Sequence, residues 1–161
     1  MILVTVGTHN QGFERLVRAV DELAGELDER MVIQYGASTY LPQQAEGFQW
    51  TTSEEMERLT SQARVVVSHA AAGAIILALR LGKPLVVVPR LKVYREHFDD
   101  HQAQLAAALA GTGRLVCVAK PTPQALRLAV AQTAQLKPPT DQPDRLRQAL
   151  RRRLAGWEGE R

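Results

Sequence analysis

The sequence predicts an α/β fold, a Rossmann-like, doubly wound parallel sheet covered by helices on both faces. Short β-branched runs alternate with helical patterns along the chain, and VVV at 65–67 and LVVVP at 85–89 are apolar without alternation. Strands that are covered on both faces require such continuous apolar runs, and their alternation with helices favours right-handed parallel crossovers.

ILVTV at 2–6 predicts the first strand. An amphipathic helix follows, with one apolar face made by Phe13, Leu16, Val17, Val20, Leu23 and Leu27. MVIQY at 31–35 predicts the second strand, and the apolar FQW at 48–50 is considered as a minor strand. Thr52 with Glu55 three residues later is a capping box that predicts a helix to about Gln62.

A strand, a turn, a helix and a second strand are predicted within residues 65–89. Gly82 suits a left-handed helix C-cap, and Pro84 cannot continue the helix. After Asp99 and Asp100 we expect a helix that ends by Gly113, then a strand at 114–118 and a helix at about 123–135.

Two regions are predicted, a compact domain at 1–136 and a proline-rich break with a basic helix at 137–161. The apolar stripe of that helix is formed by Leu146, Leu150, Leu154 and Trp157. The stripe fits packing on the chain's own core or on a partner protein, and the surrounding arginines also fit attraction to anionic lipid.

Composition narrows the class of protein. The 161 residues are 45% apolar, which suits one core. The single cysteine, Cys117, cannot form an internal disulfide and suits a reducing cytoplasm. MILVTVGTH at the start lacks the basic region of a signal peptide, and no 18-residue apolar segment is present. Nucleic-acid binding is not expected, because the arginines concentrate in one helix and aromatic residues are few.

The small residues after the central strand predict a binding turn. In open parallel sheets, ligands bind outside the carboxyl ends of the strands, where the next helix offers unpaired N–H groups. Residues 69–73 could present amides to a diphosphate while His69 donates a hydrogen bond beside it. Alternatively, the small residues serve close packing of helix on sheet. Gly7, Thr8 and His9 end the first strand and either face the same cleft or form an ordinary loop.

Other phosphate and metal motifs do not fit. The sequence lacks GK[ST] of a P-loop, neither GTHNQG nor HAAAGA matches G-x-G-x-x-G, and no acid follows the second strand. His97 and His101 are four residues apart and would share a helical face, but Phe98 stands where the zincin pattern needs glutamate. We therefore expect a polar helix start that lines a cleft, and no metal site.

Several ordered motifs together resemble one family. VTVGTH, FERLV, IQYG, SHAAAGAIILALRLGKPLVVVPR and DDHQ, between residue 2 and about 118, closely resemble the C-terminal domain of family 28 glycosyltransferases. Among its members, the chain resembles the small, PssE-like subunits of bacterial exopolysaccharide transferases and the soluble subunit of the split eukaryotic UDP-GlcNAc transferase.

The resemblance implies the donor-binding half of a GT-B glycosyltransferase, with residues 1–136 as a nucleotide-sugar-binding domain. It further implies a UDP-sugar donor, a lipid-linked sugar acceptor, a membrane-associated acceptor-binding subunit as partner, and chemistry without a metal or other cofactor. The expected location is cytoplasmic, at the inner face of the membrane through the partner.

The resemblance also implies residue roles. The residues around the donor diphosphate would be Ser68, His69, Ala70, Ala71, Ala72, Gly73 and Ala74. Gly7, Thr8 and His9 would line the cleft, and Tyr35 with Gly36 would lie near the base. Asp100, His101 and Gln102 would adjoin the sugar. His9 is the candidate general base within this chain, although we expect the base on the partner.

Three residues depart from the family pattern. Ala71 replaces a usual Gly, Ala74 replaces a usual Ser or Thr, and Leu77 replaces an acid that binds ribose in many relatives. These departures keep open an alternative, a non-catalytic stabilising or regulatory subunit.

Overall fold

The computed structural model describes residues 1–136, so the predicted C-terminal basic helix lies outside the described residues. Six parallel strands form one sheet in the order β3-β2-β1-β4-β5-β6. The strands are β1 (Ile2–Thr5), β2 (Met31–Gln34), β3 (Glu46–Phe48), β4 (Val65–His69), β5 (Leu85–Val88) and β6 (Val116–Cys117). The predicted Rossmann-like, doubly wound parallel sheet is thereby confirmed.

Helices cover the sheet on both faces. They are α1 (Glu14–Glu26), α2 (Ser53–Gln62), α3 (Ala72–Arg80), α4 (His101–Ala110) and α5 (Pro123–Gln132), with short 3₁₀ turns at Lys92–Tyr94 and Thr133–Gln135. None of the helices within residues 1–136 is long and apolar enough to cross a membrane.

Successive residues of the buried strands belong alternately to two hydrophobic cores, one on each face of the sheet. Val4 and Val67 belong to the core under α1 and α5, while Leu3 and Val66 belong to the core under α2, α3 and α4. Successive strand side chains point to opposite faces, so a strand buried between two helical layers must be apolar at every position. This is why the uninterrupted valine runs predicted the architecture.

The predicted helix boundaries follow local chemistry. The Oγ1 of Thr52 accepts a hydrogen bond from the amide of Glu55 at 3.2 Å, as a capping residue does. Gly82 takes a positive φ of 66° directly after α3, in the left-handed region that glycine favours. Both boundary predictions are confirmed.

The minor strand considered at 48–50 lies two residues earlier along the chain. It lies at Glu46–Phe48 and pairs with β2, because the preceding loop is anchored to α1. The buried carboxylate of Asp21 accepts the amides of Gln43, Gln44 and Ala45 at 2.8–2.9 Å and the hydroxyl of Tyr40 at 2.7 Å. These four bonds bring Glu46 alongside β2.

Candidate functional site

The carboxyl ends of β1 and β4 form the point where the strand order reverses. Thr5 of β1 lies opposite Ser68 of β4, so the loops that follow these two strands leave the sheet side by side. A crevice between such loops is where open α/β sheets bind ligands. The two segments singled out from the sequence, after Val6 and after His69, meet here.

Gly7 is held between two neighbours at this edge. It has a positive φ of 77°, and a Cβ on it would stand 2.5 Å from Cε1 of His69. Gly36 has a φ of 56°, and a Cβ on it would stand 2.8 Å from the carbonyl oxygen of Gly7. The loops after β2, β1 and β4 therefore contact one another with no room for a side chain at either glycine.

His69 is buried and uncharged at neutral pH. Only 8% of its surface is exposed. Burial lowers its pKa to about 4, the positive charge of Arg90 acts in the same direction, and a hydrogen bond to the backbone of Thr5 opposes them. The ring therefore offers hydrogen bonds and no charge, and most of its surface is already covered by the protein.

Two members of the predicted turn do not present side chains to a ligand. Ser68 is fully buried, and its Oγ donates a hydrogen bond to the carbonyl of His69 at 2.9 Å. Ala70 is buried as well. The side chains of Ser68 and Ala70 point into the protein, so these residues have only backbone groups to offer a ligand at this turn.

The N-terminus of α3 is uncapped. Its N-cap residue, Ala71, has no side-chain acceptor, and the amide of Ala71 already donates to the carbonyl of His69 at 2.9 Å. The first three helical amides, those of Ala72, Gly73 and Ala74, have no acceptor within the helix. The amide of Ala71, one of those at 69–73 predicted to face a diphosphate, is thus already engaged, and the amides of Ala72, Gly73 and Ala74 form the candidate anion site.

The space over this helix turn is open. A Cβ built on Gly73 would meet no atom within 4 Å. Thr52 caps α2 and Thr122 caps α5 through their side chains, whereas α1 and α4, like α3, have no side-chain cap. An open, uncapped N-terminus combines free N–H donors with the positive end of the helix dipole, which favours an anionic ligand.

His9 is placed as a hydrogen-bond donor. Its Nδ1 accepts the amide of Gln11 at 3.2 Å, so the neutral ring carries its proton on Nε2. Burial, Arg90 and His97 lower the pKa of His9, in that order, which favours this neutral form. A general base needs a free lone pair, so the geometry disfavours His9 in that role. Thr8, beside it, is exposed.

The residues around the start of α4 have defined orientations. The Oε1 of Gln102 accepts the backbone amide of Arg90 at 3.2 Å, which leaves the NH₂ group of Gln102 as its donor. The Oδ1 of Asp100 accepts the amide of Lys92 at 3.0 Å. Asp100 therefore holds the preceding loop, and Gln102 is the better oriented of the two for a ligand.

His97 and His101 both contact Asp99. Their Nδ1 atoms lie 3.1 Å and 2.9 Å from its carboxylate oxygens. Burial opposes ionisation of Asp99, but the amide and ring of His101 and the ring of His97 outweigh it and lower the pKa. His97 precedes α4, so the prediction that the two histidines share a helical face is wrong. Residues 1–136 contain no group of three or more His, Cys, Asp or Glu side chains suited to a metal ion.

Arg90 is the functional candidate that the sequence analysis missed. Its guanidinium donates to the carbonyl oxygens of Val6 at 2.8 Å and of Gln11 and Gly12 at 2.9 Å, and to that of Glu96 at 3.2 Å. The side chain is 1% exposed. Burial lowers its pKa to about 10, which leaves it cationic at neutral pH.

Arg90 thereby joins the loop after β1 to the loop after β5. In the described part of the chain, residues 7–12 make no hydrogen bond from main chain to main chain, so side chains hold this loop in place. Glu96 continues the connection, since its carboxylate accepts two bonds from Arg15 at 2.7 Å and 2.9 Å and the amide of Leu91 at 3.0 Å. No local pattern could have revealed this, because arginine after an apolar strand is ordinarily a surface residue.

The region expected near the base lies beside Gly7. Tyr35 is half-buried and its amide donates to the carbonyl of Phe48 at 3.0 Å. The Trp50 ring comes within 3.6 Å of a Cβ position on Gly36 and is 47% exposed. Trp50 is therefore an aromatic surface at this end of the crevice that the sequence analysis did not consider.

A separate cavity of about 410 Å³ lies away from the α3 turn. Its lining residues are Glu14, Arg15, Tyr94, Glu96, Lys120 and Pro121. None of the predicted site residues contributes to it.

Comparison with known proteins places the chain in a family. Residues 1–149 match the model of the glycosyltransferase family 28 C-terminal domain. A mouse protein, UDP-N-acetylglucosamine transferase subunit ALG13, is 32% identical over 149 residues, which are 83% of this chain and 12% of the mouse protein. The Saccharomyces cerevisiae subunit of the same name is 33% identical over 93 residues, 57% of this chain and 44% of the yeast protein.

Solved structures share the fold. The glycotransferase of kitacinnamycin superposes with a TM-score of 0.65 at 27% identity, covering 83% of this chain and 34% of that one. The solution structure of ALG13 gives a TM-score of 0.57 at 24% identity, covering 86% and 88%. The chain thus spans only a small part of the mouse relative and about a third of the kitacinnamycin enzyme.

Proposed function

The chain belongs to the glycosyltransferase family 28 C-terminal domain family, and from this premise we propose that it is the donor-binding subunit of a two-component glycosyltransferase. The donor is a UDP-sugar, whose diphosphate binds at the N-terminus of α3. The names of its ALG13 relatives, which are subunits of a UDP-N-acetylglucosamine transferase, support both the donor class and the division of the enzyme into subunits.

The observation that carries the proposal is the uncapped, open first turn of α3 at the strand-order reversal. Three amides without an intrahelical acceptor lie beside open space, since a Cβ built on Gly73 would meet no atom within 4 Å. A diphosphate supplies the acceptor oxygens and the negative charge that these donors lack. Close packing of helix on sheet, the alternative explanation of the small residues, accounts for buried Ala70 and gives no reason for exposed Gly73.

The same groups support chemistry. Transfer of the sugar to an acceptor hydroxyl breaks the bond to the diphosphate and leaves negative charge on the departing UDP. The amides of α3 and the Nε2–H of His9 stabilise that charge as it develops. The NH₂ group of Gln102 donates to a sugar hydroxyl, and the uracil lies toward Gly36 and Trp50. The general base belongs to the partner subunit.

The finer assignment follows the sequence resemblance. The acceptor is a lipid-linked sugar in polysaccharide synthesis, as for PssE-like subunits, and the partner is a membrane-associated protein that holds it. Through this partner the chain lies at the cytoplasmic face of a membrane. The position of the donor site at one edge of the sheet supports the two-subunit arrangement, because the acceptor-binding half of the partner can cover that edge.

The test is binding followed by transfer. Isothermal titration of the chain with UDP should give saturable binding in or below the millimolar range. Co-expression with the protein encoded beside it, followed by a panel of UDP-sugars with membrane lipid acceptors, should give product only when both proteins are present. Absence of UDP binding to both the chain and the complex would refute the donor role.

A second candidate is a stabilising or regulatory subunit without catalytic function. Ala74 provides no hydroxyl in the first turn of α3, and half-buried Leu77 provides no carboxylate for a ribose. Under this alternative the complex transfers sugar only through its partner's residues. Activity of the complex that persists after loss of UDP binding by this chain would favour it.

A further inference from the structure

The loop after β5 exposes apolar side chains at the same edge as the candidate donor site. Val93 is 78% exposed and Phe98 is 70% exposed, the two highest values among large apolar residues in the described chain. Tyr94 between them is 51% exposed. We call residues 92–98 the tip loop. Large apolar groups left in water at neighbouring positions indicate a contact surface.

The free charge around these side chains is positive. Lys92 and Arg95 are exposed in the tip loop, and Lys120 lines the same cavity as Tyr94. Within residues 1–136 none of these three cations forms an ion pair.

The acidic neighbours are already engaged by the protein. Glu96 is bound by Arg15, Asp99 contacts two histidine rings, and Asp100 accepts the amide of Lys92. Of these acids only Glu96 is paired with a permanent cation, Arg15. Asp99 and Asp100 keep their negative charges at the start of α4, and the three cations exceed these two carboxylates by one.

Hydrogen bonds from backbone amides to acidic side chains fix the conformation of the tip loop. Glu96 is buried and accepts the amide of Leu91, and Asp100 accepts the amide of Lys92. Arg95 takes a left-handed φ of 57° after the 3₁₀ turn. A loop fixed by these bonds exposes Val93 in the folded state, so binding requires little further ordering.

We propose that the tip loop contacts the surface of an anionic lipid bilayer. Val93 and Phe98 enter the interfacial region, while Lys92, Arg95 and Lys120 meet lipid phosphates. Val93 and Phe98 stay largely exposed beside these cations, although the Phe98 ring contacts the rings of His9 and His97 at 5.7 Å and 6.1 Å between centroids. Exposed apolar side chains among cations suit a bilayer surface, because an interface accepts apolar groups and attracts basic ones at the same depth. The contact does not require donor binding. It places the edge of the sheet, with the donor site, close to the membrane.

The experiment is co-sedimentation of the full chain with phosphatidylcholine vesicles that contain phosphatidylglycerol, compared with pure phosphatidylcholine. The test variant Val93→Ser with Phe98→Ser should lower binding to the anionic vesicles about tenfold. The matched control, Leu41→Ser with Leu128→Ser, removes two exposed leucines elsewhere and should leave binding unchanged. Lys92→Gln with Arg95→Gln should lower binding, whereas Lys83→Gln, before the opposite end of β5, should not.

A spin label separates insertion from adsorption. A nitroxide on Val93→Cys in a Cys117→Ala background should become less accessible to a water-soluble relaxation agent when anionic vesicles are added, and one on Leu128→Cys should not. Equal vesicle binding by the tip variant and the control would overturn the proposal, as would a label at 93 that stays in water. Shielding of that label by the partner subunit in detergent, without shielding by vesicles, would assign the surface to the partner instead. All of these results are independent of UDP binding.

Discussion

The imidazole of His69 occupies the space that a side chain at Gly7 would need, with a Cβ at position 7 falling 2.5 Å from Cε1. Since Gly7 also has a φ of 77°, Gly7→Ala should lower the free energy of unfolding by about 1–3 kcal/mol from backbone strain alone. Urea denaturation of both proteins measures this difference in unfolding free energy. A Gly7→Ala protein as stable as the wild type would mean that the two loops do not pack as described.

Gly73→Ala provides the matched comparison. A Cβ there meets nothing within 4 Å, and alanine is the better helix former, so stability should stay the same or rise by about 0.5 kcal/mol. UDP affinity should fall, because the methyl group enters the space proposed for the diphosphate. If calorimetry gave an unchanged UDP affinity, the diphosphate would not bind at this turn.

Ala72→Pro tests a single amide. Ala72 is the first residue of α3, where proline is tolerated, and Ala71 has φ −90° and ψ 140°, which a following proline accepts. The change removes one donor and no intrahelical hydrogen bond. We expect near-normal thermal stability and UDP affinity reduced about tenfold or more, the magnitude of a hydrogen bond to a charged group. Full affinity would show that this amide does not bind the diphosphate.

The buried neutral state of His69 predicts a pH dependence of stability. Its pKa is about 4 when folded and about 6.5 when unfolded. The unfolded chain therefore binds a proton that the folded chain does not as the pH falls between these values. This contribution is fully present above pH 6.5 and is lost as the pH approaches 4, by up to about 3 kcal/mol.

The His69→Gln variant should show a shallower loss of unfolding free energy between pH 6.5 and 4.5 than the wild type. Urea denaturation at several pH values measures both slopes. Parallel slopes would indicate that other groups produce the acid sensitivity, with His9 the first to examine because its pKa is lowered as well.

The Arg90→Gln substitution should strongly destabilise the folded protein. It removes a guanidinium that four buried or half-buried carbonyls share, and we expect a loss of about 3–5 kcal/mol together with weaker UDP binding. Arg30→Gln is the control, since Arg30 pairs with Glu46 at the surface and both side chains are 59% exposed. That loss should stay below about 1 kcal/mol. Similar losses for both variants would contradict the clamping role of Arg90.

The sequence was informative wherever structure depends on neighbouring residues. Valine runs predicted the buried strands, Thr52 and Gly82 indicated helix ends, and small residues indicated the turn before α3. It was uninformative where a contact joins distant positions. Arg90 bonds to carbonyls 78–84 positions earlier, and the anchoring of the 43–45 loop depends on Asp21 across α1. Neither residue differs in local pattern from a solvated charge, so only the fold could reveal them.

The outermost strands are also the shortest, with three residues in β3 and two in β6. So few free backbone groups cannot template an intermolecular ladder, which protects the sheet against edge-to-edge aggregation. A second subunit that joined the sheet by strand addition at β3 or β6 would form few backbone hydrogen bonds. Assembly with another subunit would instead use the loops and helix faces, which leaves the strand edges out of the interface.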